Sequence, residues 1–257
     1  MLVELIILSC TSFACLYPLC LWMHPGVAIT RTFVRFTFGL PLLLAMIATA
    51  LLMPGADSFS RGLGVAWILG LVLVLCVYWN KDHVNEVLSS VACLPGAILF
   101  VHLMSAFLIN GLSVWFISVL SGSIAVLVVY DTALGHWFLE TRGRVPVGHL
   151  MTGVKLLWSA LILRLGWDLV QGFRLTAYAH GEPVSLLKYM IGLDGFFLLI
   201  GILMGTLLPC VLMWFVYQTL KISSTTSATG VLYGTMLCVL MGDLIYRYYL
   251  VAESLPL

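Results

Sequence analysis

The stretch YMIGLDGFFLLIGILMGTLLPCVLMWFVYQTL, residues 189–220, carries one charge, Asp194, between Lys188 and Lys221. As a helix rising about 1.5 Å per residue, these 32 residues would extend roughly 48 Å, well beyond a hydrocarbon core about 30 Å thick. The run therefore predicts a membrane span that is tilted, kinked near Pro209, or begins as an interfacial helix. Within it, Gly201 and Gly205 place two small residues one turn apart, a face suited to close helix packing.

Working outward, similar runs recur from end to end. They parse as Leu2–Met23, Phe33–Met53, Gly64–Trp79, Val87–Ile109, Leu112–Leu134, Leu150–Phe173, Tyr189–Leu220 and Thr229–Val251. The fold class that follows is all-α: a polytopic transmembrane helical bundle of about eight spans, forming a single integral membrane domain over residues 1–257. Composition agrees. The chain is 62% hydrophobic and 9% charged, with a mean hydropathy of +1.11, whereas soluble proteins carry about 25% charged residues. Its polar stretches, His24 to Arg31, Ala56 to Gly62 and Arg174 to Lys188, are loop-sized and leave no room for a soluble domain. A net charge of +1 offers no basic surface for nucleic acid. The seven cysteines all fall in apolar segments without metal-site spacing, so no metal site is expected. The N-terminus lacks the basic region of a secretory signal, and its first segment reads as a retained helix.

Eight spans put both termini on one side. The opposite side holds Arg31, Arg35, Lys81, Arg142, Arg144 and Lys221, with Lys155 just inside the sixth span; the terminal side holds Arg61, Arg174, Lys188 and Arg247. Basic residues favour the cytoplasm. The bias predicts both termini outside a bacterial cytoplasmic membrane, with Trp22, Trp79 and Trp137 anchoring cytoplasmic span ends.

A charge inside a span is costly and points to a function with a partner. In the sixth span Arg164 and Asp168 are i,i+4 neighbours on one face, and in the eighth Asp243 and Arg247 repeat the spacing. Alternating span directions put His102, Asp168, Asp194, Asp243, Arg247 and Glu4 in the outer half, with Arg164 beneath. Two explanations stand side by side: self-satisfied pairs that pin helices together, or a polar pocket that exchanges protons. Asp131, near the cytoplasmic side, could meet Lys155 on the next span.

A b-type haem needs two histidines at similar depth on neighbouring helices. His102 and His136 sit at opposite ends of their spans, so no haem b is expected between them. His136 and His149 match in depth, flank the Glu140–Arg144 turn, and are the fallback ligands. His24 and His83 fall at cytoplasmic ends, and His180 in an outer loop.

The C-terminal stretch Met241-Gly-Asp-Leu-Ile-Tyr-Arg-Tyr-Tyr-Leu250 resembles the Gly-acid-x-x-x-Arg-aromatic stretch of membrane anchor subunits of the dimethyl sulfoxide reductase and polysulfide reductase type. The resemblance covers about ten residues of the chain. It implies an eight-helix bundle, both termini outside in the former case, and a quinol site toward the outer face. Only Asp243 and Arg247 carry over by motif. Gly135-His-Trp-Phe-Leu139 and Ser227-Ala-Thr-Gly230 look like stretches of uncharacterised bacterial membrane proteins, which supplies no activity.

Together these readings predict a non-haem, quinone-interacting membrane subunit of a bacterial redox complex. His102 and Asp243 are the candidate proton acceptors, and Arg164, Asp168, Asp194 and Arg247 the candidate quinone-binding groups. Quinol oxidation releases two protons and needs an acceptor with a path to water. With no electron carrier of its own, such a subunit would sit in the lipid bilayer beside subunits carrying haem or iron–sulfur centres. The alternatives are a structural or assembly subunit, and a proton-coupled transporter or channel, although no internal repeat relates the first four spans to the last four.

Overall fold

The computed structural model describes residues 2–23, 31–81, 84–107, 111–141, 147–179, 182–192, 195–253 and 255. Among the described residues the chain is all-α apart from one short hairpin. Eight helical segments among these residues are long and apolar enough to cross a membrane, and the protein is an integral membrane protein.

Two compact units divide the chain, Met1–Ile109 and Asn110–Leu257. The first contains α1 (Leu2–Leu16, continued by a 3-10 segment, Tyr17–Met23), α2 (Arg31–Leu52), α3 (Ser58–Tyr78) and α4 (Glu86–Phe107). Each helix touches its neighbour in sequence, and α1 closes the set against α4. Gly96 of α4 lies directly under the indole of Trp67, where a Cβ would overlap the ring. Helix starts follow local polar chemistry. Asp57 caps α3 by accepting the Ser60 N–H, and Asn85 Oδ1 accepts the N–H groups of Val87 and Leu88 at 2.9 and 3.2 Å. The third span consequently begins at Ser58, drawing Ser58–Gly62 out of the predicted loop and into helix.

The second unit contains α5 (Leu112–Glu140), α6 (Val147–Arg174), a hairpin of β1 (Thr176–Ala179) and β2 (Glu182–Ser185), then α7 (Leu186–Ile191), α8 (Phe196–Ile202), a π turn (Leu203–Leu207), α9 (Leu208–Lys221) and α10 (Thr225–Glu253). Here α5 touches α6, α6 touches α9, α9 touches α10, and α10 returns to α5. The over-long apolar run resolves into the short α7 and one continuous span, Phe196–Lys221. The π turn sits just ahead of Pro209, which has no N–H to give the carbonyl one turn back. The slack is taken up by a wider turn, in which Leu208 N–H reaches back five residues to Leu203 O. Ser223, at φ 58°, makes the tight left-handed link into α10.

Small residues set the helix spacing in this unit. Gly205 meets Gly242 of α10 backbone to backbone, so that a Cβ on either would collide with the other's main chain. Gly201 faces Ile245, which gives the Gly201/Gly205 face its partner. The hairpin and α7 form an apolar cluster in which Leu186, Tyr189 and Leu198 gather with Tyr246, Tyr249 and Leu255.

Trp22 and Trp79 are exposed, as interface anchors require. Trp22 donates to Ser90 Oγ at 2.7 Å, and Arg35 lies 4.4 Å over the Trp79 ring. Trp137 differs from expectation: it is buried within the second unit.

Candidate functional site

The second unit gathers its charges where α5, α6, the π turn and α10 meet. On α6, one helical turn separates Arg164 from Asp168, and Nε to Oδ1 is 3.2 Å. On α10, Arg247 Nε donates to Asp243 Oδ2 at 2.8 Å. All four side chains are buried, and each pair is joined on its own helix as the i,i+4 spacing suggested.

Uncharged hydroxyls tie the pairs into one structure. Ser121 of α5 donates to Asp243 Oδ1. Tyr246 of α10 donates to Asp168 Oδ2 at 2.7 Å. Thr206 lies 2.7 Å from the Tyr246 hydroxyl and donates toward Asp168 Oδ2 at 3.2 Å. The Arg164 guanidinium stands 3.8 Å over the Tyr246 ring, a stack that arginine makes better than lysine. Thr206 reaches this position because it lies on the π turn. The same turn brings Gly205 flush against Gly242, one residue from Asp243.

Between these groups lies a cavity of about 10 Å³, lined by Ser121, Arg164, Gly205, Thr206, Asp243 and Tyr246. That is room for about one water molecule, with several polar partners to hold it. The outward side of the π turn carries a different surface. There Ile200, Leu203, Met204, Leu207, Leu208 and Val211 line an apolar groove of about 340 Å³.

The network thus takes up four of the six sequence-predicted site residues, Arg164, Asp168, Asp243 and Arg247. Asp194 lies outside the described residues. His102 belongs to the first unit, where its Nε2 is 3.8 Å from Asp57 Oδ1 and its ring meets Phe59 edge-on at 5.7 Å. Asp57, at the helix start outside the span, is held below the usual carboxylate range, chiefly by its side-chain hydrogen bond with Ser60 and to a lesser extent by His102. Ser121, Thr206 and Tyr246 were not singled out by sequence. The available signal was Tyr246, three residues after Asp243 and so on nearly the same helix face.

The fallback histidines occupy the far ends of α5 and α6. His136 Nε2 is 3.6 Å from Glu140 and its ring lies edge-on to Tyr233; His149 is half-buried in the first turn of α6. Lys155 does not reach Asp131. It is exposed, and Gly153 faces Asp131 instead, because two residues on a helix turn the side chain by about 200°.

No protein-family model matches this chain, and neither does any curated protein or solved structure.

Proposed function

We propose that the second unit handles protons within the membrane, and that the chain works as an integral subunit or transporter of the bacterial cytoplasmic membrane with both termini outside. The observation carrying this is that one member of each acid–arginine pair, Arg164 of α6 and Asp243 of α10, borders a cavity for a single water. A pair that only pinned two helices would need no shared polar cavity. Here Asp243 and Arg164 both border it, and Tyr246 and Thr206 offer hydroxyls that pass a proton by rotating. Asp243 accepts and releases the proton, Ser121 and Arg247 fix its carboxylate, and Tyr246 links the cavity to Asp168.

The test is proton flux into sealed vesicles containing the purified chain, followed with a trapped pH-sensitive dye. Asp243→Asn alone would strand the Arg247 charge, so the informative variant pairs it with Arg247→Gln. The expectation is a loss of flux of about a hundredfold or more, the lower end of what removing a proton-transfer group costs. Equal flux from a folded double variant leaves the network a packing device.

A second reading, favoured by the apolar groove on the outward side of the π turn, is a non-haem, quinol-linked membrane subunit of a redox complex. The groove suits an isoprenoid or lipid chain, and quinol protons would pass to Asp243 and Asp168; His102 is a separate candidate acceptor within the first unit. Electrons would leave to partner subunits carrying haem or iron–sulfur centres. A photoreactive quinone that tags residues 200–211 or α10, and is displaced by quinol, distinguishes this reading. So does co-purification with haem-bearing polypeptides in mild detergent.

A further inference from the structure

About 15 Å along α5 from Ser121, at 1.5 Å per residue, lies Asp131. Its exposure is 0%, and neither carboxyl oxygen has a hydrogen-bond partner among the described residues. Gly153 of α6 presses against it so closely that a Cβ there would overlap Oδ1. The neighbouring hydroxyl, Thr132 Oγ1, is committed to the Val128 carbonyl at 2.6 Å.

Tyr130, next to Asp131 on α5, is also buried. Tyr233 of α10 lies edge-on to His136, His136 faces Glu140, and Lys155 of α6 is exposed. His149 lies one turn below Gly153 on α6. None of them is hydrogen-bonded to Asp131. An ionised carboxylate buried there without a protein donor would be costly. A metal ion needs several ligands, and no group of three or more His, Cys, Asp or Glu that could hold one occurs among the described residues. The ligand that a solitary carboxyl can hold is a proton.

We propose that Asp131 is a separate proton-binding site of the second unit. On loading, a carboxylate oxygen takes a proton from hydronium, forming an O–H bond and releasing water; unloading is the reverse. Gly153 makes the site possible, since any side chain there would displace the carboxyl from the α6 backbone. Between Asp131 and the Ser121–Asp243 level lie the buried apolar residues Ile124, Val128, Leu157, Leu161 and Val239. The second unit therefore carries buried carboxyl groups on both sides of a largely apolar layer. The site stands whether or not the arginine–carboxylate network conducts.

Infrared spectroscopy of the purified full chain tests this directly, because a protonated carboxyl has a C=O stretch well separated from those of carboxylates and amides. The wild type should show such a band, moved to lower frequency in D2O and absent from Asp131→Asn, whose amide mimics the neutral acid and should fold. Asp131→Glu should keep the band but shift it, and serves should the Asn variant fail to accumulate. A band unchanged in either variant, or no protonated band at all, overturns the proposal. A band insensitive to D2O also overturns it, since a sealed proton is not a binding site. Changes confined to Asp243 variants, with the band intact in the Asp131 variants, overturn it as well.

Discussion

Ser121 of α5 and Asp243 of α10 are hydrogen-bonded partners in an antiparallel helix pair whose register holds over three turns. Eleven residues further along α5, Thr132 Oγ1 lies 3.4 Å from the Leu232 carbonyl, eleven residues back along α10. Three residues beyond, Gly135 faces Thr229. The Ser121–Asp243 bond is therefore fixed by packing along the whole helix pair. Its geometry is set by small residues well away from the charges.

Gly242, next to Asp243 and pressed against Gly205 of the π turn, is a sensitive position in its own right. A methyl group at Gly242 would run into the Gly205 backbone, which cannot swing aside as a side chain can. Gly242→Ala should destabilise the protein by about 1–3 kcal/mol, as overpacking usually does. Gly234→Ala, on the same helix with nothing within 4 Å of the new methyl, should be neutral or stabilising by up to about 1 kcal/mol through helix propensity. Thermal unfolding in detergent compares the two; equal midpoints would mean that the glycine contact does not set the spacing.

The buried pair on α6 should respond asymmetrically to loss of one partner. Asp168→Asn leaves the Arg164 charge without its counter-ion and should cost about 3–5 kcal/mol. Tyr246→Phe removes one hydroxyl from Asp168 while keeping the ring under the guanidinium, and should cost about 1–3 kcal/mol. The double variant should cost less than the sum, because both changes act on one carboxylate. Strict additivity in unfolding measurements would separate Tyr246 from the pair.

Acid should loosen the start of α3. The folded state holds Asp57 below the usual carboxylate range, first through its hydrogen bond with Ser60. A depressed carboxylate contributes stability that is fully present above its unfolded range and is lost as pH falls through its folded value. Asp57→Asn keeps a capping oxygen but cannot ionise. It should flatten this part of the acid limb while leaving neutral-pH stability nearly unchanged. Superimposable acid limbs for the two proteins would remove Asp57 from the explanation.

The eight spans were legible because each is an apolar run of membrane length, and both ion pairs because each lies on one helix at i,i+4. Boundaries slipped where polar residues belong to helix: Ser58–Gly62 joined α3 once Asp57 capped it. Three parts of the site were hidden for physical reasons. Ser121 and Thr206 are ordinary members of apolar spans until a neighbouring helix supplies a carboxylate. The π turn that aims Thr206 shows in sequence only as Pro209, which predicts a kink and not its form. Asp131 was read toward Lys155 because charge suggested a partner, whereas helix rotation put Gly153 there instead.

His102 offers the sharpest separation between chemistry and packing. Its Nε2 faces Asp57 Oδ1 at 3.8 Å beside the Phe59 ring, so glutamine can retain a polar contact at the same place. Glutamine cannot take up a proton near neutral pH. If the chain serves a quinol-linked complex with His102 as an acceptor, His102→Gln should assemble normally, unfold at the wild-type temperature, and lower quinol-linked turnover at least about tenfold. The Asp57→Asn variant, which alters the partner but leaves the imidazole, should change turnover far less. Wild-type turnover in an assembled His102→Gln complex would assign His102 to packing and leave the carboxylates of the second unit as the proton acceptors.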